Sequence, residues 1–99
     1  MFTVNGETEF DWDEANRAHI AAHDVTPEEF EEVYFGEKLE TANARKGETR
    51  TAAVGKTDTG RLLAIVYTTR HDKVRPVTAH MIPRGKRKLY EEKLKAKGR

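Results

Sequence analysis

The stretch Leu62-Leu63-Ala64-Ile65-Val66-Tyr67-Thr68-Thr69-Arg70 decides the fold. Successive side chains of an extended chain point to opposite faces. In this stretch both faces are apolar, one through Leu62, Ala64 and Val66 and the other through Leu63, Ile65 and Tyr67. A strand that is apolar on both faces belongs in the interior of a sheet. We therefore predict a central strand over residues 62–70, covered by helices on one face.

The segments on either side of this strand continue the two-residue period. Residues 49–56 and 74–82 predict two more strands, joined to the central one by turns at residues 57–60 and 71–73. Pro76 has no N–H group to donate, which places the last strand at an edge or at a bulge. Residues 38–44 are suited to an edge strand before this antiparallel meander, followed by a turn at residues 45–47.

Two helices are predicted before the sheet. For the second, Thr26 is the expected N-cap, Pro27 the first helical residue and Glu29 the partner in a capping box. Gly36 is placed to end this helix. For the first helix, Asp11 is the expected N-cap, and the helix runs to about residue 22. The expected inner face of the first helix has helical spacing and consists of Trp12, Ala15 or Asn16, His19, Ile20 and His23.

A basic helix is predicted after the sheet, over residues 84–97, docked through Leu89, Tyr90 and Leu94. A short hairpin around Asn5-Gly6, with strands at residues 2–4 and 7–10, is expected at the start of the chain. Two N-terminal helices, an antiparallel meander and a C-terminal helix are typical of an α+β fold. Since 99 residues support only one modest core, we interpret residues 1–99 as a single domain.

Charge is distributed unevenly along the chain. The formal net charge is +1, but residues 1–48 hold 4 Lys/Arg and 13 Asp/Glu, whereas residues 49–99 hold 14 and 4. Such asymmetry indicates a polyanionic partner, self-complementary association, or simply an unevenly charged surface. The carboxylates fall mostly on predicted helix surfaces and form no pair typical of a glycosidase.

Composition excludes several classes of function. The chain contains neither cysteine nor serine, which excludes disulfides, thiolate zinc sites and serine or cysteine nucleophiles. No apolar run has the length of a signal peptide or a membrane span. We therefore expect a cytoplasmic protein that needs no cofactor and has no membrane partner.

The cations of the sheet and the last helix are the candidates for binding a polyanion. They are Arg50, Arg61, Arg70, Arg75, Arg84, Lys86, Arg87 and Lys88. Arginine forks match phosphate oxygens, and a tyrosine such as Tyr67 offers a stacking face or a hydroxyl. With His80 as base, these residues suit metal-free RNA cleavage, which needs a base for the 2′-hydroxyl, cations for the phosphorane and an acid for the 5′-oxygen. A basic surface that pairs with an acidic partner is the alternative, and composition does not decide between the two.

His19 and His23 have the four-residue spacing of a metal clamp on a helix. The residues between them lack the glutamate of a metalloprotease helix, and no third ligand is evident. We therefore predict no metal site. We expect instead that His23 is partly buried and bonds to the backbone where the two helices meet.

Several stretches, in their order and spacing, resemble one known family. They are the run FDWDEANRAHI at residues 10–20 with His23 and VTPEE at 25–29, GKTD at 55–58 with GRLL at 60–63, VYT at 66–68 with Arg70, and RPVTA at 75–79 followed by Arg84, Arg87 and Leu89-Tyr90. Over about residues 10–90 the chain resembles the BrnT-type toxins.

This resemblance implies a RelE-like ribonuclease fold. It also implies a toxin of a bacterial type II toxin–antitoxin system, which cleaves RNA and halts translation. The implied partner is a small DNA-binding antitoxin that covers the toxin in a hetero-oligomer and helps it repress their shared operon.

Two positions depart from the family pattern. The family usually ends its last strand with Ser/Thr-Ala-Arg, and here His80 occupies the arginine position. The final helix usually carries a glutamate where this chain has Lys86. Either the departures weaken cleavage, or His80 takes over as the group that transfers the proton.

Our leading hypothesis is a metal-independent endoribonuclease toxin. Arg70 and Arg75 are expected to hold phosphate, His80 to transfer the proton, and Tyr67 to stack or hydrogen-bond at the site. The residues expected to gather the RNA backbone are Arg50, Arg61, Arg84, Lys86 and Arg87. The alternative hypothesis is a non-catalytic RelE-like module that acts with an antitoxin in operon repression.

Overall fold

Four antiparallel strands form one sheet, with helices before and after it. The computed structural model describes residues 8–45 and 48–97. Its elements, in chain order, are α1 (Glu14–Ala21), α2 (Pro27–Phe35), β1 (Lys38–Arg45), β2 (Glu48–Lys56), β3 (Leu62–Arg70), β4 (Lys73–Met81) and α3 (Arg84–Lys97). The strand order is β1-β2-β3-β4, which confirms the predicted α+β layout. The hairpin predicted around Asn5-Gly6 lies outside the described residues, as do residues 46–47 of the turn predicted at 45–47. Arg45, the first residue of that predicted turn, belongs to β1 instead.

The central position of β3 is confirmed, and it divides the sheet into two faces. Leu63, Ile65 and Tyr67 are buried in the main hydrophobic core, on the face that α2 covers, while α1 packs beside the edge strand β4. We call this the helical face. Ala64, Val66 and Thr68 alternate with these residues and therefore point to the opposite side, which we call the second face.

Helix α2 begins where its capping signals predict. Thr26 Oγ1 accepts a hydrogen bond from the Glu29 N–H at 3.1 Å, and Glu29 Oε1 accepts one from the Thr26 N–H at 3.1 Å. Val25 before the cap and Phe30 within the helix are both buried in the core. Gly36 is the C-cap, as predicted.

Helix α1 begins at a different cap from the one predicted. Asp13, and not Asp11, is the N-cap, because its carboxylate accepts from the Asn16 N–H at 2.8 Å while Asn16 Oδ1 accepts from the Asp13 N–H at 2.8 Å. Asn16 is buried and its amide also donates to the Pro76 carbonyl at 3.2 Å, which ties α1 to β4. Of the expected inner face, Ile20 is fully buried, but the histidines are exposed.

The outer edge of β4 is met by the segment before α1. The Val74 N–H donates to the Glu9 carbonyl at 2.9 Å, and the Asp11 N–H donates to the Val74 carbonyl at 2.8 Å. Phe10 thereby forms a parallel bridge with Val74. This contact places Asp11 beside β4.

A β-bulge changes the register between β3 and β4. Val66 pairs with Thr78, but Tyr67 pairs with Pro76, so Val77 has no partner on β3. The prediction that Pro76 marks an edge or a bulge is therefore confirmed, since β4 is an edge strand and Pro76 adjoins the bulge. Beyond the bulge, Thr68 pairs with Arg75.

Helix α3 is held mainly by polar contacts. Leu89 is 50% exposed, so its predicted docking role is wrong, and no residue of α3 is buried. Arg87 donates to the Gly60 carbonyl at 2.9 Å, Lys56 pairs with Glu91, and Lys97 donates to the Lys38 carbonyl. None of the three described helices combines the length and apolar character that a bilayer span requires.

Candidate active site

A groove of about 380 Å³ lies between α1 and the ends of three strands. Its lining residues are Ala15, Asn16, His19, Arg50, Thr68, Arg70, Arg75, Pro76 and Val77. Arg50 on β2 and Arg75 on β4 both pair with Thr68 of β3, so all three share the second face. Arg70 lies two residues beyond Thr68 and joins them. The structure therefore brings together three arginines that the sequence analysis singled out.

Arg75 is fixed in the groove by two carboxylates. Its guanidinium donates to Asp13 Oδ2 at 2.8 Å and to Asp11 Oδ2 at 3.1 Å. The hydrogen bond to Asp13 raises the pKa of Arg75, and the bond to Asp11 adds to that rise. The backbone N–H of Asn16, followed by Arg75, holds the pKa of the Asp13 carboxyl below its ordinary value. Arg75 is thus oriented toward the groove with its charge partly neutralised by its neighbours.

Arg70 has different surroundings. It is exposed at the end of β3, and no carboxylate within residues 8–45 and 48–97 forms an ion pair with it. An exposed guanidinium with no ion-pair partner keeps its full positive charge and its planar set of N–H donors, both of which suit a phosphate. Arg50 is likewise exposed and lines the same groove.

His80 lies further along the second face. It pairs with Ala64 of β3, four residues before Thr68, which corresponds to about 13 Å along the strand from Arg75. His80 is exposed, and its ring centroid is 6.3 Å from that of His23. The ring centroid of His23 is in turn 5.6 Å from that of His19, which lines the groove. The three histidines therefore form a row that continues from the arginine groove to His80.

The expectation that His23 is partly buried is wrong. His23 is exposed, because α1 ends at Ala21 and His23 lies in the turn that follows the C-cap. Among the described residues, no three His, Cys, Asp or Glu side chains are arranged to hold a metal ion.

Tyr67 lies on the helical face, away from the groove. It is 7% exposed, its ring is 5.1 Å from that of Tyr34, and its hydroxyl donates to Glu40 Oε2 at 2.6 Å. Burial, followed by the hydrogen bond to Glu40, raises the pKa of the Tyr67 hydroxyl. The structure therefore does not bring Tyr67 together with Arg70, Arg75 and His80.

The remaining predicted cations lie outside the groove. Arg61 donates from Nη1 to both carboxylate oxygens of Glu29, at 2.7 and 2.6 Å, and Arg87 donates to Glu91 at 2.8 Å. Arg84 and Lys86 are exposed in the first turn of α3. Arg61 and Arg87 thus stabilise local structure, whereas Arg84 and Lys86 remain accessible to a large polyanion.

Sequence reasoning did not associate His19 and His23 with His80. Their four-residue spacing indicated a shared face of α1, and their distance in the chain from β4 concealed the contact with His80. The spacing of Arg75 and His80 in the sequence also concealed that the two side chains share a face, because it gives no sign of the β-bulge between them. Residues five apart on a regular strand point to opposite faces, and only the extra residue Val77 places these two on one face.

Two comparisons with known proteins bear on this site. A family model described as the ribonuclease toxin BrnT of type II toxin–antitoxin systems matches residues 12–84. The matched region includes α1, the whole sheet and all three groove arginines. No curated protein matches the chain significantly.

Proposed function

Because the chain belongs to the BrnT family, the ribonuclease toxins of type II toxin–antitoxin systems, we propose that it is a metal-independent endoribonuclease whose site lies on the second face of the sheet. Its substrate is RNA, and cleavage of cellular RNA inhibits translation. Its partner is a DNA-binding antitoxin that covers the toxin.

The observation that carries this proposal is the continuous surface from the arginine groove to His80. Arg50, Arg70 and Arg75 line one end, and the row of histidines leads from the groove to the other end. RNA cleavage without a metal needs cations for the phosphate charge and a group that accepts the 2′-hydroxyl proton. Both kinds of group occur on this one surface.

In the proposed mechanism, each residue has one role. Arg70 binds a phosphate of the RNA, with Arg50 beside it. Arg75, which Asp11 and Asp13 hold in position, also binds a phosphate. His80 accepts the proton of the 2′-hydroxyl, because histidine changes charge near neutral pH. Since Tyr67 lies on the other face, it has no part in this mechanism. Arg84 and Lys86 attract the RNA backbone from the start of α3.

Cleavage in a chelator tests this function. We expect the purified protein to cut single-stranded RNA of mixed sequence in excess EDTA, and His80→Asn to cut it at least about 100-fold more slowly, as expected for loss of a general base. His71→Asn is the matched control, because His71 is exposed in the β3–β4 turn and lies outside the row. Asparagine also tolerates the positive φ of 54° at residue 71. Intact RNA with the wild-type protein would contradict the proposal.

A non-catalytic role is the second candidate, and the pairing of Arg75 favours it. Two carboxylates occupy the guanidinium that would otherwise meet phosphate, and Lys86 replaces the glutamate usual in the family. Such a protein would keep its antitoxin surface and act only in operon repression. Expression without the antitoxin separates the two functions: growth arrest that His80→Asn abolishes supports the ribonuclease, whereas harmless expression of folded protein supports the repressor role.

A further inference from the structure

Acid–base cleavage of RNA requires two proton-transfer groups, and His80 supplies one of them. We infer that His23 is the other, the general acid that protonates the leaving 5′-oxygen. This inference rests on the proposed function, because it assigns a second catalytic residue to the same reaction.

The separation of the two rings suits one phosphate between them. Their centroids are 6.3 Å apart, their planes are inclined at 61°, and both side chains are exposed to solvent. In an in-line displacement the attacking and leaving oxygens lie on opposite sides of phosphorus. The base and the acid must therefore flank the phosphate, each reaching its own oxygen over about 2.6–3.2 Å. With centroids 6.3 Å apart, the two imidazoles are close enough to reach the two oxygens of one phosphate.

Each ring is carried by a segment that the core holds in place. The His23 N–H donates to the Ile20 carbonyl at 2.9 Å, and the Val25 N–H donates to the same carbonyl at 3.1 Å. Ile20 and Val25 are buried, so the turn that carries His23 cannot move without disturbing the core. His80 lies on β4 opposite Ala64. Because α1 packs against β4, the spacing of the two histidines is a property of the fold.

Local electrostatics distinguish the roles of the two rings. His23 directly follows the C-cap of α1 and so lies at the end of the helix where the backbone dipole is negative. His80 is on a strand and has no helix terminus of its own. We therefore assign the proton donor to His23 and the proton acceptor to His80.

The reaction then balances without a further reactant. Neutral His80 takes the proton of the 2′-hydroxyl as O2′ forms a bond to phosphorus. The bond from phosphorus to O5′ breaks, and protonated His23 transfers its proton to O5′. The products are a 2′,3′-cyclic phosphate and a 5′-hydroxyl, with His80 protonated and His23 neutral. Arg70 and Arg75, further along the same surface, hold neighbouring phosphates.

His19 is a weaker candidate for this role. Its ring contacts that of His23, but among the described residues the ring in contact with His80 is His23. His19 also lines the arginine groove, which suits it to binding RNA.

A substrate whose leaving group needs no proton tests the assignment. The cleavage site of a short RNA is first mapped with the wild-type protein, and the same RNA is then synthesised with sulfur in place of the 5′-oxygen at that linkage. A thiolate leaves without protonation, so an enzyme without its general acid recovers on this RNA. We expect His23→Asn to cut ordinary RNA at least about 100-fold more slowly than wild type, and the sulfur-linked RNA within about tenfold of wild type.

The matched variants make each outcome decisive. His80→Asn should be slow on both RNAs, because loss of the base is not repaired by a better leaving group. His71→Asn should match the wild type on both. Recovery of His23→Asn on the sulfur-linked RNA also demonstrates that the variant is folded. Equal losses on both RNAs, or no loss on either, would overturn the role of His23, whereas a wild-type protein inactive on both RNAs would overturn the proposed function itself.

Discussion

Tyr67 and Arg75 show what one step along a strand does to a candidate residue. Tyr67 pairs with Pro76, and Arg75 with Thr68, so the two are neighbours across the β3–β4 pairing. Yet Tyr67 points into the core and donates to Glu40, whereas Arg75 faces the groove and binds Asp11 and Asp13. Both residues were predicted at the site from their residue types. In the structure their side chains lie on opposite faces of the sheet, and only Arg75 lines the groove.

Replacing Tyr67 tests this separation. Tyr67→Phe removes the hydrogen bond to Glu40, which is exposed enough to be hydrated in the variant, so we expect a loss of about 0.5–1.5 kcal/mol in the free energy of unfolding. Urea unfolding measures this loss. The rate of RNA cleavage per folded molecule should stay within twofold of wild type. A loss of tenfold or more would indicate that Tyr67 takes part in cleavage.

Three carboxyl groups make stability depend on acid pH. Hydrogen bonds from Asn16 and Arg75 lower the pKa of Asp13, and the hydrogen bond from Tyr67 lowers that of Glu40. Burial opposes ionisation of Glu29, but hydrogen bonds from Arg61 and Thr26 outweigh it and also lower the pKa of that carboxyl. A lowered pKa in the folded state gives stability above the ordinary values of 3.8 and 4.5, which is lost as pH falls through the folded-state pKa values.

We therefore expect the free energy of unfolding to decrease steadily as pH is lowered from about 5 toward 2. Urea unfolding at a series of pH values measures the slope. Glu29→Gln keeps a capping side chain but loses the charge that binds Arg61, so its slope should be shallower than that of the wild type. An identical slope would show that the Glu29–Arg61 pair contributes nothing to the acid dependence.

At the scale of elements, local chemistry predicted some features and tertiary contacts decided others. The start of α2 follows from Thr26, Pro27 and Glu29, which act within one turn. The start of α1 is less determined, because Asp11 and Asp13 are both able to cap, and Asp13 gains a buried Asn16 partner that also binds β4. A helix end that depends on a contact 60 residues away is not visible in its own sequence.

The candidate active site shows the same division between features that local sequence predicts and features that tertiary contacts decide. The arginines of the groove were predicted, because antiparallel pairing of three evident strands already aligns Arg50 and Arg75 with the end of β3. The contact between His23 and His80 was not predicted, because it depends on how α1 packs beside β4. Arg61 was misplaced for a similar reason, since its partner Glu29 lies on α2 rather than on the sheet.

Close packing of α2 on β2 makes Gly55 a sensitive position. A Cβ atom on Gly55 would lie 2.9 Å from the Glu37 carbonyl oxygen and 3.1 Å from a Val33 methyl group. We expect Gly55→Ala to lower the free energy of unfolding by about 1–3 kcal/mol. Gly85→Ala in α3 is the matched control, because nothing lies within 4 Å of its added Cβ and helix propensity favours alanine by up to about 1 kcal/mol. Equal stability changes in urea unfolding would contradict the crowding at Gly55.

At the scale of the whole molecule, the uneven charge of the sequence becomes an arrangement in space. An acidic cleft on α2 is lined by Glu28, Glu31, Glu32, Phe35, Gly36 and Asp58, apart from the arginine groove on the second face. The division is incomplete, because Asp11 and Asp13 from the acidic half form ion pairs with Arg75 of the groove. The net charge of +1 therefore conceals a groove with three arginines and a separate cleft lined by carboxylates.

Salt dependence of RNA binding measures how many cations meet phosphate. For binding of single-stranded RNA, each phosphate contact contributes about 0.7 to the slope of log K against log salt concentration. In a His80→Asn background, which prevents cleavage, Arg70→Ala should reduce this slope by about 0.7 in fluorescence-anisotropy titrations. Lys93→Ala removes the same charge from α3, where Lys93 lies beside the Tyr90 ring, and should leave the slope unchanged. Equal slopes for the two variants would place the RNA elsewhere.

Because of the bulge at Val77, the number of residues between Arg75 and His80 determines whether their side chains lie on the same face of the sheet. The five-residue interval from Arg75 to His80 is odd, and the unpaired Val77 corrects its parity so that both side chains reach one surface. Deleting or inserting a single residue in this interval would send one of the two to the core side, while a change of two residues would preserve the match. In a library of length variants of β4, survivors that still cut RNA should therefore differ from the parent by even numbers of residues.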